Sequence, residues 1–100
     1  MTPGLQAAQA VHASNQFFVD WPSMARAWFQ VSNFLVVVAV PDELALAELA
    51  TVSIEEGIVR SVFREPDLGN TITAVALEPG STAQRLCAQL PLALREAAMT

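Results

Sequence analysis

The run Arg64-Glu65-Pro66-Asp67-Leu68-Gly69-Asn70-Thr71 places two carboxylates, a guanidinium, an amide and a hydroxyl side by side, and Thr73 adds a second hydroxyl. Such groups donate and accept hydrogen bonds, and the carboxylates also exchange protons. Pro66 fixes φ and Gly69 permits positive φ, so a tight loop here can aim Asp67, Asn70, Thr71 and Thr73 at one point. A plainer reading stands beside it: Pro-Asp-x-Gly makes a turn in which Asp67 bonds its own backbone. A second polar pair lies near the other end of the chain. Gln9 and His12 are three residues apart and so neighbour each other on a helix surface.

The elements that must carry these groups follow from pattern. Thr2-Pro3 is a helix start, with Thr2 as N-cap and Pro3 at the first helical position. The helix is expected to run to about Val19, burying the stripe Ala7, Val11, Ser14 and Phe18. Trp21-Pro22 ends it and opens a second helix, Pro22 to Gln30, with Met24, Trp28 and Ala25 inward. Phe34 to Val40 is apolar without alternation, which predicts a strand covered on both faces in a parallel-type sheet. Pro41-Asp42-Glu43 opens a third helix whose apolar face is Leu44, Leu46, Ala47, Leu49 and Ala50, and Gly57 stops it. Ile58 to Phe63 and Ile72 to Leu77 read as strands on either side of the polar run. In the first, Arg60, Val62 and Arg64 share one side, and Val59, Ser61 and Phe63 the other. Ser81 and Gln84 form a capping-box pattern opening a last helix to about Leu90, with Leu86, Cys87 and Leu90 inward and Leu92 and Leu94 docking beyond Pro91. The expected fold class is α/β, a three-layer α/β/α sandwich with a small mixed sheet, in a single domain spanning residues 1–100. A sheet of three strands is small for so much apolar helix surface. Either a strand is missing before the first helix, or a partner chain supplies cover as a homodimer.

Composition narrows the function classes. With 53% hydrophobic and 15% charged residues the chain is not disordered. No apolar run approaches the ~20 residues of a transmembrane helix, and no basic segment leads into an apolar one as in a signal peptide, so a cytoplasmic protein is expected with no membrane partner. One cysteine and one histidine leave neither a disulfide nor a structural zinc site, and no metal or cofactor is implied. Ten acidic residues face five arginines and no lysine, a net charge of -5. That balance repels a polyphosphate at long range, so a nucleic-acid role needs the arginines gathered on one face.

Two segments together resemble the type 2 peptidyl-tRNA hydrolase family. Its helix start, Gly-Lys-x-Ala-Ala-Gln-x-x-His-Ala, corresponds to Gly4-Leu5-Gln6-Ala7-Ala8-Gln9-Ala10-Val11-His12-Ala13. Its Asp-Ala-Gly-x-Thr, followed by a strand opening near Ser or Thr and closing in Gly-Pro, corresponds to Asp67-Leu68-Gly69-Asn70-Thr71 and then Thr73-Ala74-Val75-Ala76-Leu77-Glu78-Pro79. The order of elements agrees over nearly the whole chain. The sequence departs from the family in three places. Leu5 stands where the family has a lysine linked to activity, the segment between Thr71 and the last strand is shortened, and the family's first strand has no counterpart. From the last point we expect a reading frame, natural or ancestral, that begins upstream of Met1.

The resemblance implies hydrolysis of the ester joining a peptide to the 3′ end of tRNA. Asp67 would orient or deprotonate the water, Thr71 and Thr73 would hold water or substrate, and His12 would shuttle a proton or bond the acid. Gly4, Gln9, Arg64 and Asn70 would bind substrate, and the free amides of Gly4 to Ala7 would receive a phosphate or oxyanion. Each residue also has a structural reading. His12 can be a hydrogen-bonded structural histidine, and Gln9 a polar helix neighbour. Arg60 and Arg64 can pair with Glu65, Glu55 or Glu56, and Trp21, Trp28, Phe17 and Phe18 can be core or interface rather than base-stacking platforms. Two functions therefore stand: an active hydrolase, or a catalytically inactive binding or assembly module on the same fold.

Overall fold

A computed structural model describes residues 2–32 and 35–93 of the chain. Helix α1 spans Pro3–Asp20 and begins as its sequence dictates: Thr2 Oγ1 accepts from the Leu5 amide at 3.2 Å, with Pro3 in the first turn. Its buried stripe is Gln9, Ala13 and Phe17. The expected stripe is displaced, since Val11 and Phe18 are exposed. Apolar periodicity could not find the true one because it opens on a polar residue, Gln9, and a buried amide is tolerated only where partners meet it. Trp21 closes α1 and opens α2, Pro22–Val31. Its amide donates to the Phe17 carbonyl, and its own carbonyl accepts from Ala25. Ala25 is buried and Met24 and Trp28 are half-buried, as expected.

The apolar run before Pro41 does not form the expected strand; Phe34 lies outside the described residues, and so does Leu94. Residues 35–40 are irregular apart from one antiparallel bridge, Val38 to Leu92. The flanking bonds are Ala39 N–H to the Pro91 carbonyl at 2.8 Å and Ala93 N–H to the Val37 carbonyl at 2.9 Å. Pro91 has no N–H to return, so the ladder stops there. Leu35 and Val36 are more than half exposed, and so is Leu92. Helix α3, Glu43–Glu55, is capped by Asp42, whose carboxylate accepts from the Ala45 amide at 2.8 Å. It ends through Gly57 at φ 72, where a left-handed residue lets the Ile58 amide return to the Ser53 carbonyl at 2.8 Å. Ala50 and Ser53 are its buried positions; Leu44, expected inward, is 68% exposed.

Strands β1, Arg60–Glu65, and β2, Thr71–Leu77, form a two-stranded antiparallel sheet, where a mixed sheet of three strands was expected. The register runs from Arg60 opposite Leu77 to Phe63 opposite Ala74, then slips so that Arg64 faces Ile72 and Glu65 faces Thr71. Thr73 is the residue left without a partner, the extra residue of a β-bulge. Helix α1 packs on both strands, and α3 packs chiefly on β2. Ser61, Phe63 and Glu65 all face α1: Ser61 bonds Asp20, Phe63 stacks on His12, and Glu65 bonds Gln9. Their cross-strand partners Ala76, Ala74 and Thr71 share that face. The core is built from Ala13, Phe17, Ala25, Ala50, Ile58 and Ile72. Half of these are alanines, so helix backbones approach closely.

Helix α4, Ser81–Cys87, stops short of Leu90. The expected capping box does not form: Gly80, at φ 146, is the N-cap, and Ser81 is already inside the helix. The α/β class and the order of the remaining elements are as read from sequence. Among the described residues no helix is long and apolar enough to cross a membrane.

Candidate functional site

The candidate site lies where α1 meets the turn between β1 and β2. Pro66 starts a 3₁₀ turn, Pro66–Leu68, and Gly69 and Asn70 follow in left-handed conformation at φ 69 and 63. Glycine takes that conformation freely and asparagine more readily than most residues. The turn carries Asp67, which is exposed. Its carboxylate does not close the turn. That task falls to Glu65, whose Oε1 accepts from the Asp67 amide at 3.3 Å.

Gln9 ties this turn to the helix. Only 3% of its surface is exposed, and both ends of its amide are occupied. Nε2 donates to Glu65 Oε2 at 2.9 Å, and Oε1 accepts from the Thr73 hydroxyl at 2.5 Å. The bulge makes the second bond possible. Thr73, freed from the ladder, is turned toward α1 on the same side as Phe63 and Glu65. Glu65 is half-buried, and its carboxyl lies below the usual carboxylate range. The Gln9 bond is the main cause, the Asp67 amide adds to it, desolvation opposes it, and the charge of His12 contributes least.

His12 is one turn along α1, exposed, with its ring stacked on Phe63 at 4.8 Å between centroids and 26° between planes. Its nitrogens bond to no described residue, so the hydrogen-bonded structural role is replaced by stacking. Thr71 donates to the Leu68 carbonyl at 2.6 Å and stands opposite Glu65. Arg64 Nη1 reaches the Asn70 carbonyl at 3.4 Å, and Arg60 Nη1 the Ile58 carbonyl at 2.7 Å. The pairing expected between these arginines and Glu65 is thereby replaced, since Glu65 is engaged by Gln9. Gly4 is exposed in the first turn of α1. Of the amides expected to receive an anion there, Leu5 N–H is taken by the Thr2 hydroxyl and Gln6 N–H by the Thr2 carbonyl.

Gln9, Thr73, Glu65 and the Asp67 backbone thus form one bonded cluster, flanked by His12 and Thr71. Sequence reasoning singled out all of these except Glu65. The signal lay in the Glu65-Pro66 dipeptide: a residue before proline is held extended, which makes Glu65 the cap of the turn. A shallow cleft of about 230 Å³ lies elsewhere, lined by Ile58, Glu78, Gly80 and Ser81, and contains none of the cluster.

A small α/β protein whose polar cluster joins a capped helix to a bulged hairpin is the class defined by these features. The family model for peptidyl-tRNA hydrolase PTH2 matches residues 1–92 of the chain. The protein belongs to that family. Comparison with curated proteins gave no match.

Proposed function

We propose that this protein hydrolyses the ester bond between peptide and tRNA at the cluster joining α1 to the β1–β2 turn. The observation that supports this reading is the Gln9–Thr73 bond, because each partner comes from a different one of the two family motifs. Asp67, exposed on a turn held by Glu65, orients or deprotonates the attacking water. Thr71 and Thr73 hold that water or the substrate, and His12, with its ring fixed by Phe63, shuttles the proton. Gly4 lines the approach from the helix, Gln9 acts from beneath by holding Thr73, and Arg64 and Asn70 meet the substrate from the turn. The protein would act in the cytoplasm, where its substrate arises, and as a homodimer that covers exposed apolar residues such as Val31 and Leu35.

A second reading has its own observation. Leu5, 41% exposed in the first turn of α1, supplies no charge where the family has lysine. On that reading the fold is kept as a binding or assembly module without turnover. Release of peptide from an N-blocked aminoacyl-tRNA by the wild-type chain and by Asp67→Ala separates the two. Hydrolysis requires release by the wild type and its loss in Asp67→Ala; equal rates, or none in either, leave the module reading.

A further inference from the structure

We propose that Glu65 is a positioning residue that sets the direction of the hydrogen-bond chain ending on Thr73, so that this hydroxyl faces its ligand as an acceptor only. The proposal rests on the hydrolytic reading above and adds a residue to it. An ionised carboxylate can only accept. The nitrogen end of the Gln9 amide must therefore be the end that meets Glu65 Oε2, at 2.9 Å. Its carbonyl end then faces Thr73 Oγ1, and a carbonyl oxygen can only accept in turn. The Thr73 proton is committed inward, and the lone pairs are what the hydroxyl has left to offer. Thr71 is in the same condition, since its proton is given to the Leu68 carbonyl.

The consequence for chemistry is specific. An oxyanion is stabilised by donors, so Thr73 held this way does not serve the carbonyl oxygen of the ester. It serves a water, which donates one proton to Oγ1 and is left with a lone pair to turn toward the ester carbon. Glu65 must be a carboxylate to impose this. Both of its oxygens face donors, Gln9 Nε2 on one side and the Asp67 amide on the other. A side-chain amide has only one acceptor end and would set a donor against a donor. Relief comes when Gln9 turns over, which reverses the bond to Thr73 and points its proton at the water.

The test is a cycle of Glu65→Gln and Thr73→Val in the full chain, read by peptide release from N-blocked aminoacyl-tRNA. Glu65→Gln should lower kcat about tenfold, the scale of one misdirected hydrogen bond, with little change in KM. On a Thr73→Val background the same substitution should cost nothing further, because the group it acts through is gone. Wild-type kcat in Glu65→Gln, or losses that multiply in the double variant, would overturn the proposal. Should the wild type release no peptide, the hydrolytic reading fails by itself. The bond direction is then decided by NMR of the Gln9 side-chain amide: resonances that move in Glu65→Gln while the other helix amides stay in place support it, and unmoved resonances refute it.

Discussion

Replacing Gln9 by leucine is the most direct probe of the cluster. Leucine nearly fills the space of the glutamine side chain, so the backbone of α1 is not asked to move. What changes is that two bonds vanish together, to Glu65 and to Thr73. The Thr73 hydroxyl lies half-buried between strand and helix and loses its acceptor. A buried polar group left unpaired costs about 1–3 kcal/mol. Glu65 has an exposed side that water can serve, so the main penalty falls on Thr73. The added apolar surface of leucine recovers little, because its neighbours here are polar. We expect Gln9→Leu to destabilise the fold by about 2 kcal/mol, which for a domain of this size lowers Tm by roughly 8–16 °C. Urea unfolding at pH 7 measures it, with the slope m unchanged. The pH dependence is a stricter check. Glu65 titrates lower folded than unfolded, so its contribution is present above the ordinary carboxylate value and is lost as pH falls through the folded one. Gln9 is the main cause of that lowering. The gap between wild type and variant should therefore narrow from pH 7 toward pH 3. A gap that stays constant, or a loss below about 0.5 kcal/mol at pH 7, which is within ordinary surface-substitution scatter, would refute the account of the cluster.

Further consequences follow from the elements around it. Asp42→Ala should cost about 1 kcal/mol in urea unfolding, since it removes the acceptor for the Ala45 amide at the start of α3. Gly57→Ala meets no atom within 4 Å, so only the strain of φ 72 is felt; about 1 kcal/mol is expected in the same assay. Burial raises the Cys87 thiol pKa, and its reaction with a disulfide reagent at pH 8 should be slower than that of a free cysteine peptide. An equal rate would place that thiol in water.

The parts of this fold that were legible are those specified within a few residues. Thr2-Pro3, Asp42 and Gly57 each act on their own turn, and each does in the structure what local chemistry requires. The hairpin was legible for the same reason: two β-branched runs flank a turn that Pro66 and Gly69 force. Longer-range facts were not. The run at 35–40 has the composition of a strand, but a ladder needs a second chain segment able to answer it, and the segment it meets contains Pro91. The buried stripe of α1 was not legible because the glutamine at its start looks like a surface residue until its partners, 56 and 64 positions away, are known. Gln9, His12, Asp67, Thr71 and Thr73 could be singled out by type and spacing. Glu65 could not be ranked with them, because it gains its place from the donors that converge on it.

The slip in register at Thr73 has one more implication. Along β2 the residues facing α1 are Thr71 and Thr73 before the slip and Ala74 and Ala76 after it, so the extra residue works as a phase shifter between odd and even positions. Its polar half presents hydroxyls to the helix, and its apolar half presents methyl groups small enough for close approach. Deleting Thr73 would repair the ladder and leave Thr71, Ala74 and Ala76 alternating on the side of the helix, at the cost of the hydroxyl that bonds Gln9. The irregularity is what lets a seven-residue strand carry a second hydroxyl on that side without giving up either methyl group.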